Sequence, residues 1–111
     1  MERMFIEMPE FLTDWQGLGL SEDDLCDLED HLLKHPEAGP VVRGTGGLRK
    51  LRWATKGKGK SGGARVIYLD LIVKKRTFLV TVYGKSTKED MTDRERAELK
   101  KVVKLIVREE R

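Results

Sequence analysis

Twelve of the chain's basic residues fall between Arg43 and Lys85, a stretch that holds a single acid, Asp70. Ammonium and guanidinium groups at this density neutralise phosphate oxygens, and the planar arginine fork takes two of them at once. The overall charge of +3 hides a net −9 over residues 1–42, +11 over 43–85 and +1 over 86–111. Such a polarised, glycine-punctuated basic block is an electrostatic footprint for nucleic acid. Lys50 and Arg52 stand two apart, the spacing that puts both side chains on one face of a strand. Neither His nor Glu occurs in the block.

Other motifs point elsewhere and are weaker. Ala54 to Ser61 (ATKGKGKS) fits a relaxed phosphate-loop pattern, with alanine at the first glycine position. That loop works by opening a helix whose N-terminus meets the phosphates, whereas Gly62, Gly63 and an alternating strand pattern follow here. His31 and His35 have a zinc-compatible spacing, but Leu-Leu-Lys lies between them and no third ligand is evident. No metal or cofactor is therefore expected. Cys26, the one cysteine, cannot form an internal disulfide and suits a reducing compartment.

The elements that must position the basic groups are legible in outline. Met4 to Met8 has strand character, and Pro9 opens a short helix through PEFLTDWQGL. Ser21 and Asp24 form a capping box with Asp for Glu, and Leu25, Leu28, Leu32 and Leu33 make the apolar stripe of a helix that Pro36 ends. A turn-rich connector leads to a strand over Leu48–Trp53. TKGKGKSGG reads as a loop, Arg65–Leu71 alternates as a strand, and Lys74, Lys75 and Arg76 mark a hairpin into Thr77–Tyr83. Thr92 and Glu95 cap a last helix whose apolar set is Ala97, Leu99, Val102, Val103, Ile106 and Val107. The order β-α-α-β-β-β-α predicts an α+β fold, with a small, mostly antiparallel sheet and a C-terminal helix.

At 111 residues, the chain is expected to form one domain spanning 1–111. No run approaches the ~20 apolar residues of a membrane span, and the N-terminus lacks the basic and apolar regions of a signal peptide. A cytoplasmic protein with no membrane partner is the expectation.

The acid-capped leucine helix ending in HPEAG, with GTGGLRKLRWA, GKGKSGGARVIY and LVTVYGKSTKEDMT, resembles the RelE/ParE superfamily of bacterial toxins, and most of all its HigB-like branch. The resemblance runs from about residue 4 to residue 105. It implies a microbial-RNase-type fold and the toxin of a type II toxin–antitoxin module. The implied activity is a metal-independent, ribosome-dependent endoribonuclease that cleaves mRNA in the ribosomal A site through the 2′-OH. The implied partners are ribosomal RNA, mRNA and a HigA-like helix-turn-helix antitoxin, with operator DNA met only through that antitoxin. The active sites of such enzymes are similar to the basic block here in lacking the usual His and Glu.

Carried over by position, the resemblance assigns catalysis to Lys50, Arg52, Arg65, Tyr83 and Lys85. Lys50 is the leading base, on condition that neighbouring cations lower its pKa. Arg65 would meet the scissile phosphate, and Lys85 is an acid or phosphate clamp. Arg49, Lys56, Lys58 and Lys60 are expected on RNA backbone. Trp53 either stacks a base or packs half-buried. Ser86 departs from the family pattern, where RelE carries an arginine, and a C-terminal tyrosine is missing. Two alternatives stay open: a ParE-like, non-enzymatic inhibitor of DNA gyrase, and a plain nucleic-acid-binding module. The Lys50, Arg52 and Arg65 cluster favours the nuclease, because a gyrase poison does not need it.

Overall fold

Helix starts follow the caps written in the chain. In the computed structural model, which describes residues 3–54, 63–85, 88 and 90–110, strand β1 (Met4–Glu7) gives way at Pro9 to helix α1 (Pro9–Gly17). Helix α2 (Glu22–Lys34) opens on a complete capping box. The Ser21 hydroxyl accepts the Asp24 N–H at 3.1 Å, and the Asp24 carboxylate accepts the Ser21 N–H at 2.8 Å. Aspartate at this position does the work of glutamate. Thr92 and Glu95 cap helix α3 (Asp93–Glu109) in the same way, at 3.1 and 2.8 Å.

Strands β2 (Arg49–Trp53), β3 (Ala64–Leu71) and β4 (Arg76–Gly84) pair antiparallel in the order β1-β4-β3-β2, and β1 adds parallel to β4. The expected α+β order is the one found. Several boundaries move by one residue, two of them for a visible reason. Leu48 precedes β2 and is fully buried, its carbonyl accepting the Val42 N–H at 2.8 Å. Arg76 belongs to β4 rather than to the hairpin turn, because Lys75 takes the left-handed position at φ 55° and closes the turn onto the Ile72 carbonyl.

Both faces of β3 are apolar, and both are covered. On one face, Phe11 and Trp15 of α1 and Leu25, Leu28 and Leu32 of α2 pack on Leu51, Val66, Tyr68, Leu79 and Val82. On the other, Val103 and Ile106 of α3 pack with Leu48, Ile67, Leu69, Phe78 and Tyr83. The α3 stripe is narrower than its sequence suggests, for Ala97 and Val107 are exposed. At 100° per residue, Ala97 points roughly opposite the Val103–Ile106 seam. No helix among the described residues is long and apolar enough to cross a membrane.

The connector is tied down by Tyr68. Its buried hydroxyl donates to the Pro36 carbonyl at 2.9 Å and accepts the Gly39 N–H at 3.1 Å. With both bonds made, this tyrosine is a structural tie rather than a reactive group.

Across the molecule, Glu29 of α2 faces Glu7 of β1. Burial, then a shared hydrogen bond with Glu7, then the Glu7 charge push the Glu29 carboxyl up to about 8. A folded-state pKa above the ordinary 4.5 means that stability is full below about pH 4.5 and is lost as pH rises through about 8. Glu29→Gln removes this ionisation. Discounted for the water that reaches a half-buried carboxyl, the gain is about 1–2 kcal/mol at pH 8.5 and none at pH 4.5. Thermal melts at the two pH values check it, and an equal shift at both contradicts the raised Glu29 carboxyl.

Candidate nucleic-acid interface

Strand pairing assembles the basic groups. Arg52 of β2 lies directly opposite Arg65 of β3, which lies directly opposite Tyr83 of β4. Directly opposed residues share a face, so these three side chains form one row across the sheet. Lys50 stands one pair along on the same face, opposite Ile67. Like charges facing each other across a ladder are destabilising, so the Arg52–Arg65 pair costs stability.

Arg65 is the unusual member. Only 7% of it is exposed, and it has no ion-pair partner among the described residues. Arginine is almost never buried without a counter-charge. The one acid of the basic block is engaged at the other end of β3, where Asp70 pairs with Arg3 and accepts the Thr77 hydroxyl at 3.1 Å. The row at the near end is thereby left cationic.

Tyr83 closes the row. It is 8% exposed, its hydroxyl has no hydrogen-bond partner among the described residues, and the Lys88 ammonium sits 4.8 Å from its ring centroid. Burial, followed by the negative charge of Asp90, pushes its pKa above the ordinary 10.0, against the opposing pull of Arg65. The phenol keeps its proton at neutral pH and so is not a base there. Lys85 follows β4 directly and is exposed, with its backbone N–H bonded to the Gly63 carbonyl at 3.3 Å. That bond ties the end of β4 to the approach to β3, beside the row.

Not every expected residue joins. Arg49 is directed to the connector, bonding the Gly39 carbonyl at 2.8 Å and the Glu37 carboxylate at 3.3 Å. Trp53 lies half-buried against the helical core, its ring 5.4 Å from that of His31. Trp53 sits opposite Ala64, on the sheet face away from Arg52 and Arg65. Lys56, Lys58 and Lys60 lie outside the described residues.

Lys50 has a carboxylate beside it. Its ammonium lies 3.4 Å from Asp90, which also accepts from Arg96 of α3 at 2.9 Å. Sequence reasoning missed Arg96 and Asp90. A signal for Arg96 was present: it precedes Leu99 by three and Val103 by seven, which puts an arginine at the margin of the apolar stripe. Asp90 carried no comparable signal. On the α1 side of Tyr83 a groove of about 600 Å³ opens, where Glu10, Asp14, Glu95 and Glu98 outnumber Lys88 and Arg94. Its charge does not suit a polyanion.

A family model for the RelE toxin of the RelE/RelB toxin–antitoxin system matches residues 21–111. The chain belongs to the RelE toxin family. The match begins at the α2 cap, leaving β1 and α1 of this RelE toxin outside it. A solved structure of the Escherichia coli toxin RelE, an arginine double mutant in the free state, is similar in fold. It shares 20% identity over 80% of this chain and 90% of that one, with a TM-score of 0.54. As a RelE-family toxin of a toxin–antitoxin system, the protein has an antitoxin as its counterpart.

Proposed function

We propose that this RelE-family toxin is a ribosome-dependent endoribonuclease that cuts mRNA in the ribosomal A site and so halts translation. The observation that carries the reading is Arg65, a buried cation without a counter-charge among the described residues, in a row with Arg52 and Tyr83. A phosphate seated there supplies the missing negative charge, and the arginine fork can hold two of its oxygens.

In the proposed reaction, the 2′ oxygen attacks the adjacent phosphorus and the P–O5′ bond breaks. A 2′,3′-cyclic phosphate and a 5′-hydroxyl result, one proton having left the 2′-OH and one having reached the 5′ oxygen. Arg65 and Arg52 stabilise the charge that builds on the phosphorane oxygens. The protonated Tyr83, or Lys85, supplies the proton to the leaving oxygen. Lys50 is the candidate base, and it can serve only once Asp90 no longer holds its ammonium. Such a site is weak alone, and a ribosome that fixes the mRNA in line provides the orientation. Lys56, Lys58 and Lys60 would then hold rRNA or mRNA backbone. The GTGGLRK and GKGKSGGARVIY segments support the HigB-like branch and with it a HigA-like antitoxin, the single Cys26 suits the reducing cytoplasm, and a length of 111 residues suits one domain.

Expression in bacteria followed by mapping of mRNA 5′ ends tests the reading. Cuts in register with translated codons support it. Intact mRNA together with relaxed or broken plasmid replaces it with gyrase inhibition.

A further inference from the structure

A carboxylate sits among the groups that would receive RNA phosphates. The Asp90 Oδ1 accepts the Met91 N–H at 2.8 Å and lies 3.4 Å from the Lys50 ammonium, and Oδ2 accepts from the Arg96 guanidinium at 2.9 Å. Donors from β2, α3 and the backbone just before α3 thus converge on two oxygens of one anion. The Met91 N–H, and after it Lys50 and Arg96, hold the Asp90 carboxyl below its ordinary range. Around it, donors stay unmet among the described residues: the Arg96 Nε is buried without a partner, and so is the Tyr83 hydroxyl.

We propose that Lys50, Arg96 and the Met91 N–H form a subsite for a backbone phosphodiester of RNA, filled in the free protein by the Asp90 carboxylate. The proposal rests on the nucleic-acid-binding part of the functional reading but not on cleavage. A phosphodiester also offers two anionic oxygens on one centre, so it meets the same donors. The Asp90 side chain is 48% exposed, and ion pairs of that exposure are weak. An RNA strand adds the entropy of released counterions and can displace it. Displacement also frees Lys50 from its carboxylate. Arg96 becomes a phosphate-binding residue contributed by a helix, next to a row contributed by strands.

Binding of a fluorescein-labelled, uncleavable 2′-O-methyl RNA oligonucleotide, read by anisotropy from 20 to 200 mM salt, tests this. Asp90→Asn, which removes the competing anion from Lys50 and Arg96, is expected to tighten binding about tenfold. Arg96→Gln is expected to weaken binding and to lower the slope of log Kd against log salt by about 0.7, one single-strand phosphate contact. Melting curves establish that each variant is folded, and that slope does not respond to a merely structural loss. Unchanged or weaker binding by Asp90→Asn, or an unchanged slope in Arg96→Gln, overturns the subsite. No binding by either the parent or Asp90→Asn at 20 mM salt overturns it too. An oligonucleotide bound as expected by a protein that makes no cuts on ribosomes leaves the subsite standing and removes the nuclease.

Discussion

Replacing Arg65 by alanine is expected to lower ribosome-dependent mRNA cleavage by roughly 10²–10³-fold, the usual loss when one preorganised donor to a transition-state anion is removed. Arg65→Lys is expected to restore little, because a point charge does not reproduce the bidentate fork. Stability should move the other way. Arg65 is 7% exposed and unpaired among the described residues, and it opposes Arg52 directly across the ladder. Arg65→Met keeps the side-chain length and removes the charge, so it should stabilise the fold by about 1–2 kcal/mol. Melting temperature and cleavage rate on programmed ribosomes, measured for the same preparations, decide the matter. A variant that loses stability along with activity assigns Arg65 to the architecture. One that keeps full cleavage removes it from the site.

Gly63→Ala is expected to impair both fold and function. A Cβ there would stand 2.2 Å from the Trp53 carbonyl oxygen, and the residue sits at φ 74°, where a side chain is strained anyway. The close atom is backbone, so the end of β2 or the start of β3 must yield. The cost is about 2–4 kcal/mol, or roughly 10 °C or more in melting temperature. Gly63 also accepts the Lys85 N–H, so the movement reaches the end of β4 and the row that includes Arg65 and Tyr83. Gly17→Ala is the control. Nothing lies within 4 Å of its Cβ, and a helical alanine there should be neutral or stabilising by up to about 1 kcal/mol. Equal melting curves for Gly63→Ala and the parent would contradict the close approach of the two strand ends.

The sequence was most informative where local chemistry decides structure. Ser21 with Asp24, and Thr92 with Glu95, announce the two longer helices because a cap satisfies its own backbone within three residues. The alternation of Val66 and Tyr68 with Ile67 and Leu69 marks a strand with two apolar faces, and helices cover both. The site was legible only in part, because pairing register is a tertiary property. That Lys50 and Arg52 share a face follows from their spacing. That Arg52, Arg65 and Tyr83 fall in one row follows from hydrogen bonds between strands distant in sequence. For the same reason Arg49 and Trp53, beside Lys50 and Arg52 in the chain, face away from them. Asp90 and Arg96 arrive from beyond β4, and only the packing of α3 brings them to Lys50.

The opposed arginines have a consequence for how long the protein lasts. A site that destabilises the empty fold turns every anion that binds it into a folding ligand, adding RT ln(1 + [L]/Kd) to the free energy of unfolding. Polyanions should therefore raise the melting temperature of the parent protein, and do so less for Arg65→Met, where the penalty is already gone. Proteolysis samples the open form of a protein in proportion to its population. On the proposed reading, the empty toxin is then the shorter-lived form, and RNA seated on the row would shield it.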